Sequence, residues 1–307
     1  MARRFLGGIF GNTVPASSNV PSIGGVYDLN GQYYMKQEGA WESVDNMAAS
    51  GGTTTTYTDP TGQAWKSHTF TSSGSFVVTT APGASALDAD FLVQGAGGGS
   101  KAEGDSNRNA GSGAGGLLYG PAGTMPVATY SITIGAGGSG GNGSNTVLGG
   151  APGAAIGASG QTATGGGAGG VNDSPPNCLG ADGGCGGGGW WSNPGAGGEG
   201  TQPNPGLAGI TKGSGDGSPG SPSPEYGGAG GGTGGPAPGQ GTNKGPGTAN
   251  VYRYGPTNSQ TYGAGGESSD YSTTPRNANG ASNSGDGAGG HGTGGSGIIV
   301  IRYKVTS

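Results

Sequence analysis

Four groups of residues in this chain have types and spacings that could do chemistry. The first is Gly135–Gly140, "GAGGSG", directly after "YSITI". Glycines at this spacing let a backbone approach a pyrophosphate closely. The same chemistry needs a helix immediately afterwards and an acid about 20 residues on. The chain continues "GNGSNTVLGG", and position 155 is Ala. In a chain with 80 glycines such a match arises by composition. A Gly-Lys-Ser/Thr phosphate loop and repeated calcium-binding nonapeptides are both absent.

The second group is Cys178 and Cys185. A disulfide, two free thiols and a metal pair are all open to them. The disulfide needs an oxidising compartment. The metal reading is weakest, because His68 and His291 lie far away and give no zinc spacing. These two histidines form the third group. Neither has a nucleophile or carboxylate partner evident in sequence, and the acids are scattered through polar stretches. No catalytic constellation, metal site or cofactor is therefore expected, and the chain does not read as an enzyme.

The fourth group is aromatic: Trp190, Trp191, Tyr226, Tyr252, Tyr254, Tyr262 and Tyr271, with Arg253 between two of the tyrosines. All sit in or beside polar islands rich in Ser, Asn and Gly. Tyr and Trp give large, rigid contact area at low entropy cost, and Ser, Gly and Asn give adaptable hydrogen bonds. Recognition of a partner and packing as a makeshift core both fit this composition.

The elements that must position these groups are unusual. Leu, Ile, Val and Phe number only 36 of 307 residues. A conventional core of that size does not offset an ordering cost of about 1–2 kcal/mol per residue. Net charge is only −5, so the chain is not held open by self-repulsion. Its acidic balance and thinly spread Lys and Arg argue against nucleic acid. No apolar run approaches the roughly 20 residues of a membrane span. "MARRFLGGIFG" imitates a signal peptide but lacks a clean apolar region and cleavage site, so cytoplasmic synthesis is expected.

Along the chain, "GVYDLNGQYYMKQEGAW" at 25–41 reads as a short N-terminal helix capped by Asp28. Residues 46–66 read as a linker or short extended segment. Strands are expected within 67–135, where "HTFTSSGSFVVTT", "ADFLVQG" and "TYSITIG" are β-branched and aromatic. The last strand, "GIIVIRYKV" at 297–305, is apolar on both faces and should be central. It should pair back onto 67–135 and make a small β-sandwich, with 136–296 as one long insertion.

From Gly95 to Gly297 the chain has 203 residues, of which 68 are glycine. That is the collagen fraction without the collagen period. "GAGG" recurs eight times at irregular spacing, which excludes a regular solenoid. Two readings remain. One is a flexible tract. The other is a bundle of polyglycine-II helices, in which segments without Cβ atoms approach closely enough to hydrogen-bond to one another.

The ordered series "SFVVTT … ADFLVQGAGGG … GAGGLLYG … YSITIGAGGSGGNGSNTVLGG … GGSGIIVIRY" resembles the glycine-rich domain of bacteriophage tail-fibre and adhesin proteins. The resemblance covers about 67–305, and extends to T-even-type tip adhesins with polyglycine-II rods. It implies a mostly β fold plus irregular structure: a sandwich (67–135 plus 297–307) and a polyglycine-II region (136–296) with variable loops. It implies a virion protein that binds a host surface protein or glycan. Trp190, Trp191, Tyr226, Tyr252, Arg253, Tyr254, Tyr262 and Tyr271 are the receptor-binding candidates. Segment 1–45 is similar to segments that begin marine-phage virion proteins. That implies attachment to other virion proteins, with Phe5, Leu6, Tyr27, Leu29, Tyr33, Tyr34 and Trp41 as candidates. A trimer is among the oligomeric states this implies. A capsid decoration or tail accessory without receptor binding is the alternative.

Overall fold

The computed structural model describes residues 48–80, 89–100, 109–123, 125–156, 159–171, 177–191, 195–204, 208–222, 225–269 and 278–305. The N-terminal helix at 25–41, the seven attachment candidates from Phe5 to Trp41, and Tyr271 lie outside the described residues.

The described chain is all β and irregular, with no helix. The strands are β1 (Ala48–Ser50), β2 (Thr53–Thr58), β3 (Ala64–Phe70), β4 (Gly74–Thr80) and β5 (Ala89–Gln94). After them come β6 (Leu117–Gly123), β7 (Ala128–Thr133), β8 (Thr146–Leu148), β9 (Gln161–Ala163) and β10 (Thr211–Gly213). The last are β11 (Ser221–Pro222), β12 (Glu225–Tyr226), β13 (Thr248–Asn250), β14 (Gln260–Tyr262) and β15 (Ile298–Val305). They form a five-stranded sheet ordered β1-β4-β7-β8-β9, a six-stranded sheet ordered β10-β6-β5-β15-β3-β2, and the hairpins β11-β12 and β13-β14. Every pairing between these strands is antiparallel.

Of segment 46–66, read as a linker or short extended segment, the described residues 48–66 supply β1, β2 and the start of β3. Its run of threonines gave little apolar alternation, and pairing with β3 decides its conformation. The turn at Gly51–Gly52 takes φ of 110° and 62°, values that non-glycine residues rarely adopt, and carries the chain from one sheet to the other. Strands β8, β9 and β10 lie inside 136–296, so the glycine-rich region also contributes to both sheets.

One core lies between the sheets. Phe76, Val78, Tyr130, Ile132 and Leu148 from the five-stranded sheet meet Phe70, Phe91, Val93, Ile299, Ile301 and Tyr303 from the six-stranded sheet. A second, smaller cluster covers the other face of the six-stranded sheet: Leu92, Leu117, Ile298, Val300 and Tyr262, with Tyr119 and Tyr252 packed beside it. The alternation of β15 therefore buries both its faces. It sits centrally, between β5 and β3, as its sequence predicts.

Candidate functional site

The glycine-rich segments are ordered by backbone hydrogen bonds that repeat every three residues. Segment 95–100 leaves the end of β5. Its successive N–H groups donate to the carbonyls of 116, 144, 295, 113, 141 and 292. Residues 95 and 98 thus meet one neighbour, 96 and 99 a second, 97 and 100 a third. Segment 111–116 does the same, donating in turn to 228, 288, 167, 231, 285 and 164. In "CGGGGW", Cys185 and Gly188 donate to 114 and 111, Gly186 and Gly189 to 215 and 218, and Gly187 and Trp190 to 181 and 178.

This arrangement needs glycine for space. A Cβ on Gly186 would lie 1.9 Å from the Gly198 carbonyl oxygen, and one on Gly97 1.9 Å from that of Asp286. On outer segments burial also repeats every three residues, as buried, exposed, half-buried along 135–140 and 195–200. There, side chains of neighbouring segments accept the backbone N–H groups that face outward. Asn142 Oδ1 accepts from Ala168 N at 2.9 Å and Asp182 Oδ1 from Glu199 N at 2.7 Å. Asp216 Oδ1 accepts from Gly200 N and Asp286 Oδ1 from Ala264 N, both at 2.8 Å. Three of the scattered acids, Asp182, Asp216 and Asp286, thus have a local task, satisfying backbone donors of neighbouring segments. Only the pairing of segments reveals it.

Because 95–100 runs away from β5, the register defines a far end. Ser100 Oγ donates to Ala110 O at 2.7 Å, and Ser269 N to Asn109 O at 2.9 Å. Gly170 N donates to Gly188 O, Trp190 N to Cys178 O and Gly220 N to Gly195 O. Trp190, Trp191 and the β11-β12 hairpin carrying Tyr226 therefore gather at this end. Trp190 is buried, at 3 % exposure, with its ring 6.5 Å from that of half-buried Trp191. Tyr226 is half-buried. Asn109 is buried here and its side chain contacts His291, a non-glycine residue with φ of 69°.

The remaining described candidates lie elsewhere. Tyr252, Arg253, Tyr254 and Tyr262 sit on or beside the β13-β14 hairpin, against the outer face of the six-stranded sheet. Tyr262 is 2 % exposed, and Tyr252 stacks over Arg302 at 3.9 Å. Burial pushes the hydroxyls of both tyrosines up to about 12. Ser67 Oγ donates to Arg253 O at 2.8 Å, and Tyr57 Oη to Tyr252 O at 3.2 Å. Arg302 also stacks on Trp65 at 4.2 Å. Three of these residues are contiguous with Val251 in "VYRY", but the sequence carried no sign that a sheet would lie beneath them.

The disulfide is not formed. Cys178 and Cys185 are both free and buried. The pairings of Trp190 with Cys178 and of Gly187 with Ala181 place Cys185 opposite residue 183. Cys178 is then about 15 Å away along the segment at roughly 3.1 Å per residue, beyond disulfide reach. Burial pushes the Cys185 thiol up to about 12. Among the described residues no group of His, Cys, Asp or Glu could hold a metal ion. The "GAGGSG" backbone is engaged by its neighbours: Gly138 N donates to Gly97 O, and Gly135 O accepts from Gly297 N.

A family described as a glycine-rich domain matches residues 70–304. No curated protein matches the chain.

Proposed function

We propose that this chain, which belongs to the glycine-rich domain family, is a phage virion adhesin built on a bundle of polyglycine-II helices, the reading that its ordered series of strand and glycine segments implies. The threefold rotation of backbone donors supports the bundle, since a polyglycine-II helix has about three residues per turn and no internal hydrogen bonds. The observation that carries the adhesin reading is the far end. The bundle brings Trp190, Trp191 and Tyr226 from separate parts of the chain to the side farthest from the sheets. Residues 1–45 would join the particle, and the far end would meet a host surface protein or glycan.

Replacement of 191–195 and 221–226 by Gly/Ser sequence tests this reading on intact particles. Host adsorption should be lost while the protein still assembles. Normal adsorption by assembled particles would overturn it. A second reading, a capsid decoration or tail accessory, draws on the burial of Trp190 and Tyr262, which assigns both to packing. It requires adsorption to survive the same replacement.

A further inference from the structure

We propose that His68 and Tyr303 form an acid-sensitive clasp on the β1–β2 link, releasing β1 from the sandwich when His68 takes up a proton. His68 lies on β3, fully buried between the sheets. Its ring meets Phe76 of β4 edge-on, with centroids 5.2 Å apart, and stacks on Tyr303 of β15 at 5.7 Å. Nδ1 lies 2.7 Å from the carbonyl oxygen of Gly51, and Nε2 lies 3.2 Å from Tyr303 Oη. The Ala49 backbone N–H also faces the Tyr303 oxygen. One clasp therefore holds both Ala49 and Gly51, on either side of Ser50.

These contacts choose the tautomer. A carbonyl oxygen can only accept, so Nδ1 carries the proton and donates to Gly51. Nε2 is then bare and accepts from the Tyr303 hydroxyl. Both ring nitrogens of His68 and the Tyr303 hydroxyl proton are then satisfied. A second proton on Nε2 breaks this order. Nε2 would become a donor, the Tyr303 O–H would lose its acceptor, and a cation would be buried.

Among the described residues the charged group that acts on His68 is Lys66, two residues earlier on β3, and it repels a second positive charge. Burial, first, and then Lys66 hold the imidazolium below its ordinary range. The unfolded link therefore binds more protons than the clasped one, and the clasp strengthens with rising pH. It is fully present above the ordinary histidine range and weakens as pH falls below it.

The held element is weak on its own. β1 has three residues, pairs only with β4 among the described strands, and changes register between Ala48 and Ala49. Opening it leaves β5 and β15 paired at the centre of the other sheet. The device does not depend on what residues 1–47 attach to, and its test does not read adsorption.

Amide exchange on the full chain from about pH 7.5 to about pH 5 tests the clasp, across the range where histidine titrates. Corrected for intrinsic rates, opening at Ala49 and Ser50 should quicken by up to about tenfold per pH unit below the histidine range. Amides of β5 and β15 should stay protected. His68→Gln can donate and accept as the neutral ring does, and should remove the pH dependence. A flat wild-type profile, an unchanged slope in His68→Gln, or simultaneous opening of β15 would each overturn the proposal. Should His68→Gln fail to fold, Tyr303→Phe serves: Ala49 should exchange faster already at neutral pH, and wild-type protection there would sink the clasp.

Discussion

Arg302 and Asp90 face each other directly across β15 and β5, and two guanidinium nitrogens share one carboxylate oxygen. Nε lies 2.8 Å and the terminal nitrogen 2.7 Å from Asp90 Oδ2. The same guanidinium stacks on the rings of Trp65 and Tyr252 and donates to Tyr57 Oη at 3.1 Å. A single arginine thus ties β2, β3 and β5 to the segment after β13. Arg302→Ala removes the ion pair and both stacks, and should lower stability by about 2–3 kcal/mol, below the fully buried range because the pair is partly exposed. Arg302→Lys should recover little, since an ammonium offers no planar fork and stacks poorly. Denaturant midpoints of the three proteins check both statements.

Glycine substitutions should divide sharply by position. Gly186→Ala drives a Cβ to 1.9 Å from the Gly198 oxygen, whereas a Cβ on Gly141 meets nothing within 4 Å. The first should cost about 1–3 kcal/mol or more, as overpacking does. The second should be neutral, or stabilising by up to about 1 kcal/mol through the unfolded chain. Equal thermal midpoints for the two variants would show that backbone proximity does not order the segments.

Burial, the largest effect on Asp286, raises its carboxyl above the ordinary range despite its bond to Ala264 N. The folded state binds the proton more tightly, so this group favours folding at acid pH and less so as pH rises through the raised value. Asp286→Asn keeps an acceptor for Ala264 without the charge. It should melt higher than wild type at neutral pH, with the gap closing in acid. Melting curves across pH decide this, and a gap that widens in acid would contradict it.

The two thiols offer a chemical count. Both are buried, and Cys185 is further protected by its raised thiol. The native protein should show no rapid reaction with a thiol reagent. Unfolding without reductant should release two reactive thiols per chain. None released would mean that a disulfide exists after all.

Much of this architecture was written into local residue pattern. Ile298–Val305 alternates apolar residues on both faces, and a strand of that kind must lie inside. "ADFLVQ" and "ATYSIT" are β-branched and aromatic, and both are strands. The excess of glycine pointed to close backbone approach as one of two outcomes. The threonines of β2 and the short strands β8 to β10 were not legible, because their conformation comes from the partner beside them.

Sequence by itself determined which apolar segments must be extended and which strand lies at the centre, and left close backbone approach of the glycines as one of two outcomes. The tertiary structure alone decided which segment meets which, because one glycine N–H is chemically the same as another. Only closure of the whole network picks the partner of Gly113 as Gly167 and that of Gly188 as Gly111. That closure separated aromatics that looked alike in sequence. It carried Trp190, Trp191 and Tyr226 to the far end, and laid Tyr252 and Tyr262 on the outer face of a sheet.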